Sequence, residues 1–461
     1  MDVMIAGADR GGMSLDLTPL IVTAPGAGSP GTAATMATAP DARAEAATPP
    51  ATRSHAATTT PAASSRRHGV GFWTVAATFL VAMAYSTVPS PLFPLYVARE
   101  GFSTFAVTVV FASFAVGVVI SLVLAGHVSD WLGRKAILLP ALGLEVASAV
   151  LFLSSTALPV LILARVINGL GVGMIAATAT AYLHDLHTRH RPGASLRRFE
   201  VVSTAANIGG LGVGALLAGV LAQYAASPLS TPYVVLAVLL VVSIVAVALT
   251  PETVTRRQVS YRPQRISTGH GAGYLVAGAG AFSAFAVFGV FTSVSPGFVA
   301  GELHHPSRAL AGLVVFIVFG GAALAQTLTS GMPVPVQRAL GLGAQAIGVL
   351  LVVAGMDAAG FPLFLVGGAV AGAGAGVQFK AAIGAVTRTA APAKRGEALA
   401  GLFFIAYLGL SVPSLSIGLA TRFLPPTTVM TWFAGILLVL LAVLAAAHRR
   451  SDLPQLSRCA P

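Results

Sequence analysis

Charge is what this chain has least of: Asp, Glu, Lys and Arg make up 9% of its 461 residues, while 56% are hydrophobic. Soluble domains carry about 25% charged residues, so a water-facing surface for a globular body of this length is excluded. Acidic groups are the scarcer sign, 15 against 27 Lys and Arg, which leaves a formal net charge of +12. In a soluble protein that excess would suggest nucleic acid. Here it sits in short loops between apolar runs, so no nucleic-acid partner is expected. Cys459 is the single cysteine, which excludes an internal disulfide, a CxxC pair and a cysteine-based metal site. Residues 1–68, as in TAPGAGSPGTAATMATAP, lack any apolar period. They are expected to be disordered, because such a segment buries too little to offset its ordering entropy.

What the chain does have is a series of apolar runs of about 20 residues, the length that crosses a bilayer as helix. The runs are continuous rather than alternating over about 10 residues, which excludes an outer-membrane barrel. They read as 71–96, 104–125, 136–156, 158–183, 199–223, 232–250, 272–297, 309–330, 339–356, 361–386, 397–420 and 429–447. The expected fold is an all-α polytopic membrane protein with twelve transmembrane helices in a lipid bilayer. Twelve spans place both termini on one side. The loops of that side hold nineteen Lys and Arg residues, from Arg66 to Arg458, whereas the opposite loops hold only Arg99, Arg308 and Arg422. By the positive-inside rule both termini are cytoplasmic and the chain lies in the cell membrane.

The longest inner loop after the tail, 251–270, divides a first half (69–250) from a second (271–447), with 448–461 as a cytoplasmic tail. A weak repeat supports this division. RRFE at 197–200 opens the fifth span and KRGE at 394–397 the eleventh, so Glu200 matches Glu397 and, at the same offset, Gly212 matches Gly409. Gly169-x-Gly171-x-Gly173 in the fourth span parallels Gly372-x-Gly374-x-Gly376 in the tenth. Such repeats are common in transporters, with the substrate site near mid-membrane between them. Pro89, Pro91 and Pro94 break the outer end of the first span.

The loop between the second and third spans reads Gly126-His127-Val128-Ser129-Asp130-Trp131-Leu132-Gly133-Arg134-Lys135. It resembles the signature loop of the major facilitator superfamily, G-x-x-x-D-[RK]-x-G-[RK]-[RK], with Trp131 where a basic residue is usual. The twelve spans, the long central loop and Pro251-Glu252-Thr253 after the sixth span fit the same family over about 70–450. Physically, Gly126 and Gly133 permit a tight turn, and Asp130 can bind Arg134 or the positive end of a helix from the other half. The resemblance implies that this contact latches the cytoplasmic side shut, with Gly126, Asp130, Gly133, Arg134 and Lys135 as its motif. Asp185 is a second partner for Arg134. The matching loop of the second half, GMPVPVQR at 331–338, lacks the acid, so the latch is one-sided.

Arg165 in Arg165-Val166-Ile167-Asn168-Gly169 resembles a second family motif, R-x-x-x-G, associated with proton coupling. An embedded guanidinium stays charged, so Arg165 cannot carry the proton. It can bias a carboxylate, bind an anionic substrate, or simply hydrogen-bond backbone carbonyls. Glu145 is the one acid deep in a span, which suits a proton carrier, although the third span is peripheral in the family fold. Tyr85, Asn168, Gln378 and Lys380 are candidates for the substrate cavity, on helices that line it in this family; Lys380 can alternatively snorkel to the surface. Gly210, Gly214 and Gly219 form a packing face that resembles the antiporter motif of drug exporters, but Ala215 and Ala218 replace its proline and one glycine. His184, His187 and His190 read as a solvated loop rather than a metal site.

No Walker loop G-x-x-x-x-G-K-[ST] occurs, which argues against ATP-driven transport by this chain alone. The expected function is a monomeric, cofactor-free secondary transporter of a small organic substrate by alternating access, proton-linked and exporting. The alternatives are a proton-linked importer and, more remotely, a membrane-embedded enzyme or a non-transporting sensor. No enzyme constellation of His/Asp or Cys/His type is found in the deep spans.

Overall fold

The computed structural model describes residues 61–125, 129–254, 271–391 and 394–456. Among them are twelve helical spans long and apolar enough to cross a membrane. Spans 1 to 6 are Arg66–Glu100, Thr104–Leu122, Arg134–Ser154, Leu158–His190, Arg197–Tyr224 and Thr231–Leu249. Spans 7 to 12 are Ala272–Ser293, Arg308–Leu328, Val334–Asp357, Phe361–Thr389, Arg395–Ala420 and Pro426–Arg449.

Local sequence explains where the helices break. Span 1 is helical to Ser86, turns at 87–89, makes one 3-10 turn at Ser90–Leu92 and resumes as Phe93–Glu100. The prolines at 89, 91 and 94 remove ladder donors across that break. Gly101 then stops the helix in the left-handed region (φ 69°), with its N–H on the Val97 carbonyl. Span 5 contains a π turn at Ala205–Gly209, just ahead of its glycine-rich stretch.

Polar residues carry several helices beyond their apolar runs. The first helix begins at Pro61, inside the stretch expected to be disordered, and span 4 continues to His190 rather than 183. Span 9 starts at Val334 and the last helix runs on to Leu456, past the boundary expected at 448. Hydropathy ends at the membrane surface, whereas helical hydrogen bonding does not. In span 4 the extension is also anchored by tertiary packing, since Leu183, Leu186 and His187 are buried. Residues 1–60, 255–270 and 457–461 of the expected tails and central loop lie outside the described residues.

Within the first half, span 4 packs on spans 1, 2 and 3; within the second, span 10 packs on spans 7, 8 and 9. The glycine repeat makes this possible. A Cβ at Gly169 would collide with the Phe114 carbonyl of span 2, and one at Gly372 with the Val318 carbonyl of span 8. One at Gly171 would strike Glu145 of span 3, and one at Gly374 would strike Gln345 of span 9. Only glycine lets the backbones approach so closely in lipid. The halves meet through spans 5 with 8 and 2 with 11. Val116, Val150, Val242, Leu324, Ile347 and Val439 each stand more than half exposed around the bundle, as suits a lipid-facing surface rather than a watery one.

Candidate functional site

The buried charge of the bundle is concentrated in the first half. Glu145 (span 3) and Arg165 (span 4) are 0% and 2% exposed. Among the described residues the two make no direct ion pair; Asn168, one turn along from Arg165, joins them. The Arg165 Nη1–H donates to Asn168 Oδ1 (2.9 Å), and Asn168 Nδ2–H donates to Glu145 Oε2 (2.6 Å). The amide thus presents its acceptor to the cation and its donor to the acid, the orientation both charges favour.

Two further contacts hold the guanidinium. Arg165 Nη1 also donates to the Ser86 carbonyl (2.8 Å), the last helical residue before the break in span 1, which satisfies an orphan helix-end acceptor. The guanidinium lies over Phe114, 4.5 Å from the ring centroid, with Phe111 at 5.9 Å. Glu145 Oε1 and Arg165 Nε have no hydrogen-bond partner. Charges buried with unfilled hydrogen-bonding capacity are costly, which makes this cluster the candidate site of the first half. Chemically it is a single ionisable acid linked through one amide to a fixed cation and to the broken end of span 1.

Among the described residues the second half has no such cluster. At the repeat offset, Gly368 and Ala371 stand where Arg165 and Asn168 are, and Gln345, wedged against Gly374, takes the place of Glu145. Gln345 Nε2 donates to the Ser283 carbonyl (2.8 Å).

Of the cavity candidates, Tyr85, Asn168 and Gln378 do not open on solvent; all three are sealed among helices. The Tyr85 hydroxyl pairs with Ser148 Oγ (3.0 Å), which donates to the Ala164 carbonyl (2.8 Å). Tyr85 therefore faces spans 3 and 4, not the gap between halves. Gln378 lies against Gly280 and Gly341. Sequence alone does not tell the inner from the outer face of a helix that is apolar all round. Lys380 is half-buried and donates to the Gln326 carbonyl of span 8 (2.8 Å).

At the end of the bundle that carries the basic loops, a polar knot joins spans 3, 4 and 6. Gly126 and the side chain of Asp130 lie outside the described residues. Gly133 precedes span 3 with φ 107°, a conformation suited to glycine. Arg134 pairs with Asp185 (Nε to Oδ2, 2.9 Å) and donates to Ser129 Oγ (3.0 Å). Lys135 Nζ donates to the carbonyls of Ala248 and Thr250 (2.6 and 2.9 Å).

Glu252, from the Pro251-Glu252-Thr253 run, accepts from the backbone N–H groups of Arg134, Lys135, Thr253 and Val254. Burial by itself would raise its carboxyl, but these four donors prevail and hold it below the ordinary carboxylate value. Thr253 Oγ1 donates to Asp185 Oδ2 (3.1 Å), and the Tyr182 hydroxyl to the Pro251 carbonyl (2.6 Å). Every contact named in this knot lies within the first half; the Arg134–Asp185 pair is one the sequence suggested, whereas the contact with the other half was expected of Asp130, whose side chain lies outside the described residues. The link from Glu252 to span 3 has no local sequence signature, since its donors there, Lys135 and Arg134, lie 117 and 118 residues away.

The glycine face of span 5 divides its work. Gly210 and Gly214 meet span 1, whereas Gly219 meets Arg308 and Gly312 of span 8 across the halves. Nearby, the Arg308 N–H donates to Gln223 Oε1 (2.9 Å) and its Nη1 to the Ala222 carbonyl (3.0 Å). Gly418 of span 11 abuts Thr108 of span 2 at the same end. The halves therefore close together at the end opposite the basic loops. Of the histidines, His187 is buried beside Phe72 and bonds the Ser195 carbonyl (3.2 Å), while His184 packs on Phe199. No group of His, Cys, Asp and Glu among the described residues is placed to hold a metal.

Residues 74–332 match the family profile described as Major Facilitator Superfamily. An uncharacterized MFS-type transporter of Mycobacterium tuberculosis is 32% identical over 121 residues, which cover 26% of this chain and 18% of that protein. The quinolone resistance protein NorA of Staphylococcus aureus is 28% identical over 130 residues, covering 28% of this chain and 34% of that protein. The chain thus spans well under half the length of the curated relatives it matches. Among solved structures, the human organic anion transporter MFSD10 superposes with a TM-score of 0.61 at 16% identity, over 82% of this chain and 99% of that one. The nucleoside transporter NupG gives 0.62 at 14% identity, with the same coverage. Both likenesses speak to the fold.

Proposed function

The chain belongs to the major facilitator superfamily and is a multi-pass secondary transporter; within that class we propose that it exports a small organic solute in exchange for protons. The observation that carries the proton link is the Glu145–Asn168–Arg165 chain. A coupled carrier needs an acid whose proton alters the structure around it. When Glu145 is ionised, Asn168 is fixed between carboxylate and guanidinium. When it is protonated, the amide loses its anionic acceptor, and Arg165 is released to rearrange against Ser86 at the break in span 1. Arg165 stays charged throughout and serves as the fixed reference.

Export is supported by the likeness to the quinolone resistance protein over 130 residues. The excess of basic residues on the loops flanking the tails supports termini in the cytoplasm. In that orientation the end where Gly219 meets span 8 and Gly418 meets span 2 faces outward, which suits a carrier that loads its substrate from the cytoplasm. The polar knot around Glu252 then works as a brace that keeps spans 3, 4 and 6 moving as one body when the halves rock.

The test is a substrate screen in cells with and without the chain. Expression should lower the accumulation of the transported compound, and a protonophore should erase the difference. Raised accumulation would reverse the direction, and a difference indifferent to the protonophore would remove proton coupling.

A further inference from the structure

The second half holds a wall of aromatic rings that the buried charge cluster does not use. Phe285 of span 7 meets Phe379 of span 10 with centroids 4.8 Å apart and Tyr407 of span 11 at 5.4 Å. Phe379 in turn meets Phe403 of span 11 at 5.6 Å. Phe114 of the first half touches the same wall at Tyr407 (6.4 Å), so this face of span 11 looks across at the other half. Phe285, Phe403 and Tyr407 are only partly buried, although the residues flanking them on their helices include many that are sealed. The wall thus borders the space between the halves.

Lys380 follows Phe379 directly on span 10. In the stretch 374–382 of span 10 it is the one residue that is not buried, about 14 Å from Thr389 at ~1.5 Å per residue. It donates to the Gln326 carbonyl of span 8, and Glu200 of span 5, on the first half, is the acid whose charge acts on it at longer range. An ammonium has three donors, so Lys380 keeps capacity for a further acceptor. The described acids of spans 7 to 11 are Asp357 and Glu397, at the ends of their helices. A cation lying on the aromatic wall would find no described carboxylate deep in the second half, whereas an anion would find Lys380; the acid that acts on Lys380, Glu200, belongs to the first half.

We propose that this wall and Lys380 form the substrate site of the second half, and that its ligand is a flat aromatic carboxylate. The ring lies among Phe285, Phe379, Phe403 and Tyr407, and the carboxylate takes a charge-assisted hydrogen bond from Lys380. This deepens the transporter reading and rests on it, but it is independent of the direction of transport and of the coupling ion.

Equilibrium binding to the purified full-length chain in lipid nanodiscs tests it, with three probes: 2-naphthoate, the cation 2-naphthylmethylammonium and the aliphatic cyclohexanecarboxylate. Naphthoate should bind saturably, and the other two about tenfold more weakly or worse. Lys380→Gln should weaken naphthoate by about tenfold, and Lys380→Arg should restore most of the loss. Equal or tighter binding of the naphthyl cation by the unmodified chain overturns the proposal, as does unchanged naphthoate affinity in folded Lys380→Gln. The ranking of the three probes needs no variant, so it decides the matter even if Lys380→Gln fails to fold. Because binding is read without a gradient, failure here leaves proton-linked export standing, and failure of the protonophore test leaves this site standing.

Discussion

Removing the carboxylate of Glu252 should loosen the basic end of the first half by a measurable amount. It accepts from Arg134 and Lys135, whose N–H groups open span 3, at 3.1 and 2.9 Å, and from Thr253 and Val254 in its own loop. An acceptor at a helix start contributes about 1 kcal/mol, and an anion there adds about 0.3–1 kcal/mol. The carboxylate is exposed enough for water to replace part of this, so Glu252→Ala should cost about 1–2 kcal/mol. Thermal unfolding in detergent, followed by tryptophan fluorescence, should fall by about 3 °C at pH 7.

The pH dependence has a definite sign. The folded carboxyl is held below its unfolded value, so its stabilisation is present above the unfolded value of about 4.3 and fades as pH falls through the folded one. The melting curves of the native chain and the variant should therefore converge below about pH 4. Equal melting at pH 7, or a gap that stays undiminished at low pH, would refute the reasoning.

Gly169→Leu should abolish accumulation of folded protein, because even a Cβ there meets the Phe114 carbonyl, whereas Gly143→Ala, with open space around it, should be neutral in the same expression assay. Gly133→Ala should lower thermal stability by about 1 kcal/mol or more, since φ 107° is strained for any side chain. Gly312→Val, whose Cβ meets the Ala215 carbonyl across the halves, should wedge the closed end open. In a background with Cys459→Ser, labelling of Phe403→Cys from the basic side should then slow, and an unchanged rate would contradict the closed-end assignment. Arg165→Lys should retain only a fraction of uphill transport in vesicles, because a lysine cannot bridge Ser86 and Asn168 as the planar fork does.

Much of this architecture is legible in the chain itself because lipid imposes one simple pattern, the apolar run of about 20 residues. The glycine repeat was equally readable, since Gly169 and Gly372 do the same packing against spans 2 and 8. Side-chain direction was not readable. In spans that are apolar on every face, periodicity carries no signal for which side a polar residue takes, so Tyr85, Asn168 and Gln378 are placed inside rather than on the cavity. Arg165 and Glu145 stand out from sequence because any embedded charge does, but the amide that joins them becomes visible only in three dimensions. The role of Glu252 was only partly readable for a different reason: two of its four donors, Arg134 and Lys135, lie more than a hundred residues away and reach it by the folding of spans 3 to 6.

The central claim is that the proton acts at Glu145. Proteoliposomes containing the native chain or Glu145→Gln, loaded with substrate and given an imposed pH step, test it most directly. Gln keeps an oxygen that can accept from Asn168 Nδ2 but cannot exchange a proton at any relevant pH. The variant should therefore still equilibrate substrate downhill and by exchange, yet show no acceleration and no uphill movement when the pH step is applied. A variant that responds to the step as the native chain does would contradict the account.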